Sequence, residues 1–212
     1  CVPLGATREA TEKIIAAVGD ETLVTDVASV KGMMTGVGGR FVGGHPMAGT
    51  EKSGIAAARA HLFENAFYAV VPYENTSEAD VKYMCELVRS FGAKPVVMSA
   101  AEHDGRVSEV SHLPHIIAYA LTGYALKADG FAGTGFTDTT RIAASDPGLW
   151  TDVAFLNRDN LLRDMRGYEK EFSKYVTALE NGDREGLRGL IAAAREKREA
   201  LTLRRVYRNE YT

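Results

Sequence analysis

Four stretches of this sequence place reactive side chains beside glycine or proline. Asp26-Val27-Ala28-Ser29-Val30-Lys31-Gly32 offers a carboxylate, a hydroxyl and an ammonium close together. Gly43-Gly44-His45-Pro46-Met47-Ala48-Gly49-Thr50-Glu51-Lys52-Ser53-Gly54 surrounds one histidine with glycine and adds Thr50, Glu51 and Lys52. Ser111-His112-Leu113-Pro114-His115 carries two histidines at i, i+3, and Arg141 stands where the glycine-rich run Gly130 to Gly135 leads into a short helix, followed by Ser145-Asp146-Pro147 and Trp150. A strand-end imidazole with an ordinary pKa of about 6.5 can take a proton near neutrality. A guanidinium at a glycine-loop junction can hold a carboxylate through two parallel N–H bonds.

Each stretch also has a plainer reading. Asp26 or Ser29 can cap the helix that follows. A lone histidine is more often structural, although the glycine of its loop permits close backbone approach to a ligand. The two histidines could share a metal, but no third ligand stands at a recognisable spacing, which favours one lining a polar cleft while the other packs in a core. Arg141 can pair with Asp138 at i−3. Two glycine runs, at Gly36 and Gly133, begin like a dinucleotide fingerprint, but both lack the third glycine and neither lies between a first strand and its helix.

The elements that must position these groups change character near residue 100. Before it, helix-like and strand-like segments alternate. Thr7 is placed to cap a helix with Ala10, Ile14 and Val18 on one face and Gly19 as its stop. Strands are expected at 22–26, from Phe41 into His45-Pro46, at 67–71 and at 95–98, with a helix from Ser77 to Ser90 stopped by Gly92. That order implies a layered α/β sheet. After the capping box Ser99-x-x-Glu102 only helices are expected: one through Ala118, Leu121 and Leu126 that Pro114 kinks or breaks, a short one at Arg141, one opened by Asp146-Pro147, and two long ones at 158–179 and 183–205 separated by Asn181-Gly182. The reading is an α/β part over residues 1–99 followed by an all-α part over 100–212.

Composition narrows the function classes. The chain has 212 residues, with 25 Lys+Arg against 28 Asp+Glu and a net charge of −3, which argues against a nucleic-acid binder relying on a basic surface. No apolar run approaches the roughly 20 residues that span a bilayer. Cys1 and Cys85 have no metal or redox spacing, and no signal-peptide pattern is present; a cytoplasmic setting is expected.

Taken together, in order and at their spacing, Asp26–Lys31, Gly43–Gly54, Ser111–His115 and Gly135–Trp150 resemble the prephenate dehydrogenase family, arogenate dehydrogenases included. The resemblance covers essentially the whole chain. It implies part of a Rossmann-type nucleotide-binding domain followed by a helical domain that dimerises, with the active site between them. The reaction implied is the oxidative decarboxylation of prephenate or arogenate in tyrosine biosynthesis, with hydride transfer to NAD or NADP, NAD being favoured. His45 would accept the hydrogen bond of the 4-hydroxyl, with Ser29 beside it. Arg141 would hold a substrate carboxylate, with His115, Thr50 and Glu51 lining the same cleft, and Pro3, Asp26 and Ser29 would face the cofactor. No metal is implied. Cys1 to Thr7 resembles the segment after the fourth Rossmann strand, so the earlier strands, the glycine-rich turn and the ribose-binding acidic residue are expected upstream. The 212 residues alone are then expected to bind the nucleotide poorly. The rival readings are a non-catalytic helical dimerisation fragment and another two-domain hydroxyacid dehydrogenase, which would be expected to place a lysine in the Ser111–His115 stretch.

Overall fold

Phe41-Val42 and Phe67-Tyr68-Ala69-Val70-Val71 carry the aromatic and β-branched residues that suit a pleated, covered surface. In the computed structural model they form the centre of a four-stranded mixed sheet in the order β1-β2-β3-β4. The structure describes residues 2–49, 54–55, 58–125 and 130–210, with side chains of the last helix described to residue 201. Strand β1 is Val24–Thr25, β2 Phe41–Pro46, β3 Phe67–Val71 and β4 Lys94–Val97. β1 and β2 run parallel, β2 and β3 antiparallel, and β3 and β4 parallel. The β2–β3 register sets Gly44 opposite Val70 and His45 opposite Ala69. His45 is therefore a residue of the strand rather than of the loop beyond it.

Helix α1, Thr7–Ala17, precedes β1, and α2, Glu78–Ser90, joins β3 to β4. Ser77 caps α2, its hydroxyl accepting the Asp80 N–H, and Gly92 turns the chain out of it at φ +81°. Met84, Cys85 and Val88 of α2 pack on Val42, Tyr68 and Val70 of the sheet. A second core gathers Val24, Met34, Val37 and Phe41, with Ile15 and Val18 against it. The face of α1 differs from expectation: Thr11 is buried and Ile15 faces this core, whereas Ile14 is exposed. Thr7 is the first residue of that helix and Ala6 its cap, without a side-chain bond, and the helix ends before Gly19.

Past the sheet the chain is helical. Helix α3, Ala100–Val107, passes through a π-turn, Ser108–His112, directly into α4, Leu113–Tyr124. Pro114 is the second residue of α4, and the wide turn before it accommodates the ring without breaking the helical run. Leu126 lies outside the described residues. Helix α5, Thr134–Thr140, runs into a 3-10 turn, Arg141–Ala144, and Asp146 caps α6, Pro147–Leu156, by accepting the Leu149 N–H. Leu4, Ala28, Val30 and Val153 form a third core with Trp150 against it, tying α6 to the segment after β1.

The chain divides into two units, residues 1–164 and 165–212. The second consists of the rest of α7, Arg158–Glu180, and of α8, Arg184–Glu210. Gly182 turns between them at φ +65°, and the Asp183 carboxylate accepts the Gly186 N–H. Among the described residues no helix is long and apolar enough to cross a membrane.

Candidate active site

The end of β1 and the end of β2 are locked together by one buried ion pair. Lys31 is fully buried, and its Nζ donates to Asp26 Oδ2 at 2.5 Å and to the Gly44 carbonyl at 2.6 Å. Asp26 in turn accepts the N–H groups of Ala28 and Gly44, both at 3.0 Å. Burial pulls the Lys31 ammonium below its ordinary value, while Asp26 and Asp104 pull it back. Gly44 is required here for space: a Cβ would lie 2.5 Å from both the Asp26 carbonyl and the Tyr68 hydroxyl. The glycine before His45 thus admits neighbouring protein rather than a ligand.

His45, held by this strand, meets α3. Its Nδ1 lies 2.8 Å from His103 Nε2, and His103 Nδ1 lies 2.7 Å from Asp104 Oδ1. Asp104 also accepts the Lys31 N–H at 2.8 Å and the Gly32 N–H at 2.7 Å. Its own carbonyl accepts the Asn157 side-chain amide at 2.8 Å, and the same amide nitrogen is 3.2 Å from His112 Nδ1. Desolvation, then the neighbouring His103, Lys31 and His112, push the His45 pKa down to about 3. His112 is lowered to about 4, chiefly by burial. The ordinary value near 6.5 expected for His45 gives way to a ring that stays neutral well into acid.

A cavity of about 360 Å³ opens in front of this cluster. Ser29, His45, His112, His115, Arg141 and Trp150 line it, together with residues 46–49. His115 Nδ1 donates to the Ser111 carbonyl at 2.8 Å, and its ring lies flat on Trp150, with centroids 3.3 Å apart. Burial lowers the His115 pKa, and the Arg141 charge adds to that effect. Arg141 is exposed and projects from the 3-10 turn after α5. A second cavity, of about 320 Å³, is lined by Val2, Leu4, Thr25, Asp26, Ala28 and Ser29 with the inner side of α1. Ser29 and Leu149 belong to both cavities. Pro3 is exposed between two residues that line the second cavity. Thr50 and Glu51 lie outside the described residues.

Residues 1–97 match the model of the prephenate dehydrogenase nucleotide-binding domain, and residues 99–193 match that of the prephenate dehydrogenase dimerization domain. The chain belongs to the prephenate dehydrogenase family. It is 39% identical to the prephenate dehydrogenase of Bacillus subtilis (strain 168) over 198 residues, covering 87% of this chain and 53% of that protein. It therefore spans about half the length of this curated relative. Its fold is similar to the crystal structure of the A. aeolicus prephenate dehydrogenase in complex with hydroxyphenyl propionate and NAD+, with a TM-score of 0.87 and 32% identity over 94% of this chain and 74% of that one. The Synechocystis arogenate dehydrogenase gives a TM-score of 0.81 and 30% identity, over 95% and 77% of the two chains.

Seen as a prephenate dehydrogenase family member, the chain brings five of the residues expected from sequence, Asp26, Ser29, His45, His115 and Arg141, to two adjoining cavities. Sequence reading missed His103, Asp104, Asn157 and the inner role of Lys31. Glu102-His103-Asp104-Gly105-Arg106 looks like a solvated helix face, although His103 and Asp104 are 1% and 5% exposed. The available signal was the capping box: Ser99 starts the helix, its hydroxyl accepting the Glu102 N–H, and so puts His103 and Asp104 in the first turn directly after a strand end. Among the described residues no group of three or more histidine, cysteine or acidic side chains is arranged to hold a metal ion.

Proposed function

We propose that the protein carrying this chain is a nicotinamide-dependent dehydrogenase that oxidatively decarboxylates prephenate or arogenate to the corresponding 4-hydroxyphenyl product in tyrosine biosynthesis. The observation that carries this reading is the pairing, in one cavity, of a neutral, partly buried His45 with the guanidinium of Arg141. The first supplies a proton acceptor and the second a carboxylate anchor. In the reaction the 4-hydroxyl gives its proton to the His45 imidazole as the ring carbon beneath it loses hydride. The ring carboxylate then leaves as CO2, its bonding electrons completing the aromatic ring, and the phenolic oxygen recovers a proton. A positioned base of this kind contributes about 10²–10⁴-fold.

Arg141 pairs with a carboxylate of the dianionic substrate, and the flat His115–Trp150 stack gives the ring a planar wall. Thr50 and Glu51 are assigned to the same substrate loop on the resemblance. Nicotinamide, when bound, supplies the hydride acceptor. The residues present fit its nicotinamide end: the second cavity is mostly apolar, is bordered by Pro3 and Asp26, and meets the substrate cavity at Ser29. NAD is favoured over NADP by the A. aeolicus neighbour solved with NAD+. A charged substrate and a dissociable cofactor favour a cytoplasmic enzyme.

A homodimer is the proposed assembly. Leu179, Ile191 and Leu201 on α7 and α8 are each more than half exposed, and the family model over this region describes a dimerization domain. Steady-state assays of the protein with prephenate and with arogenate test the activity: nicotinamide reduction with one or both is expected, and none with either would overturn the reading. Sedimentation equilibrium at micromolar concentration should give twice the protomer mass, and a monomer would count against the dimer.

A further inference from the structure

His45 can serve as a base only through a nitrogen that carries no proton, and the structure bears on which nitrogen that is. Asp104 accepts a backbone N–H at each of its oxygens, from Lys31 at Oδ1 and from Gly32 at Oδ2. It acts as an acceptor throughout, so its contact with His103 Nδ1 has to be donated by the ring. A neutral His103 with its proton at Nδ1 has a lone pair at Nε2. The 2.8 Å contact of that nitrogen with His45 Nδ1 is then donated by His45. With a single proton on His103, the order of donors runs from His45 through His103 to Asp104.

We propose that His103, itself oriented by Asp104, is a positioning residue that holds His45 in its Nδ1–H tautomer and leaves Nε2 as the nitrogen that receives the substrate proton. The inference rests on the proposed dehydrogenase reading, but the tautomer is a property of the free protein. Three features make the arrangement rigid. His103 is 1% exposed and its backbone N–H donates to the Ser99 carbonyl at the start of α3. The Asp104 carboxylate ties α3 to the segment after β1, and its backbone carbonyl is tied to Asn157 beyond α6. Gly44, one residue before His45, is held at both its N–H and its carbonyl. Among the described residues, His103, Lys31 and His112 act on the charge of His45, His115 and Arg141 line the same cavity, and Lys31 is engaged by Asp26 and Gly44. Only His103 bonds the ring itself among the contacts described. A histidine's partner at one nitrogen decides the protonation of the other, and the exchange of one tautomer for the other disables a base without moving it.

The test is the tautomer of His45 in the whole protein labelled with ¹⁵N-histidine, read at neutral pH from long-range ¹H–¹⁵N correlations and assigned by the loss of its signals in His45→Gln. The expected spectrum shows a protonated Nδ1 and a bare Nε2. In His103→Leu the ring should shift toward the Nε2–H form, with kcat falling about 10²-fold and KM changing less than about threefold. His103→Gln, whose amide oxygen can accept from His45 Nδ1, should restore the Nδ1–H form and at least part of kcat. An Nε2–H ring in the unsubstituted protein, or a tautomer unmoved in His103→Leu, would overturn the proposal. If His103→Leu does not fold, the unsubstituted and His103→Gln spectra still decide it. Failure to turn over prephenate or arogenate would remove the dehydrogenase reading and leave the spectroscopic result standing.

Discussion

On one wall of the cleft, His45 and His103 meet above a buried Asp104 and a fully buried Lys31, every one of them held by a second group. Elsewhere in the lining of the same cavity, Arg141 stands exposed on a 3-10 turn between the short helices α5 and α6. The first wall grows from strand ends and the first turn of a capped helix, elements fixed by the sheet. The second grows from short helical pieces after a glycine-rich run. Proton transfer needs a geometry held to a fraction of an ångström, and capturing an anion needs a charge with room to adjust. The proposed division of labour follows: the rigid wall would do the chemistry and the exposed wall would bind.

That contrast can be broken in order of expected effect. His45→Asn should lower kcat by about 10²–10⁴-fold and leave KM nearly unchanged; near-normal turnover would remove the base from the rigid wall. Lys31→Met strands Asp26, whose side chain is 4% exposed, beside the backbone groups it serves. Breaking a buried pair in this way costs about 3–5 kcal/mol, measured by urea unfolding. Arg141→Ala should change stability by less than about 0.5 kcal/mol yet raise KM about 10- to 10²-fold through the lost charge-assisted bonds. A stability loss at Arg141 as large as at Lys31 would erase the difference between the walls.

The smallest effect is one of pH. His45 and His112 have folded pKa values of about 3 and about 4, below the ordinary 6.5. The unfolded chain therefore binds more protons in between, and stability falls as pH drops. The contribution is fully present above about pH 6.5 and declines toward pH 5 by at most about 1.4 kcal/mol per unit for each ring. His112, 2% exposed, carries the larger share, and the part-exposed His45 is discounted for solvent screening. Unfolding midpoints at pH 7, 6 and 5 measure it, and His112→Gln should flatten the slope.

Much of this was legible in the sequence where local chemistry decides the outcome. Ser77, Ser99 and Asp146 cap helices as their positions imply, and Gly92 and Gly182 turn the chain at positive φ. The strand at 67–71 falls on the expected residues because its aromatic and β-branched run is unbroken. What escaped depends on contacts far apart in sequence. The strand expected at 22–26 is only Val24–Thr25, because Asp26 turns inward to bind Lys31 and Gly44 rather than continuing a ladder. Ile14 and Ile15 are equally apolar, and only the core around Phe41 selects Ile15. His103 and Asp104 look like surface residues until Lys31, more than seventy residues earlier, arrives beside them.

The central claim is that this cleft couples oxidation of a ring alcohol to loss of a carboxylate. Recording nicotinamide reduction and CO2 release together, in the protein carrying this chain and with whichever of prephenate and arogenate it turns over, tests that coupling directly. The account predicts one CO2 for each reduced nicotinamide throughout the progress curve. Reduction without CO2, or CO2 released with no nicotinamide reduced, would contradict it.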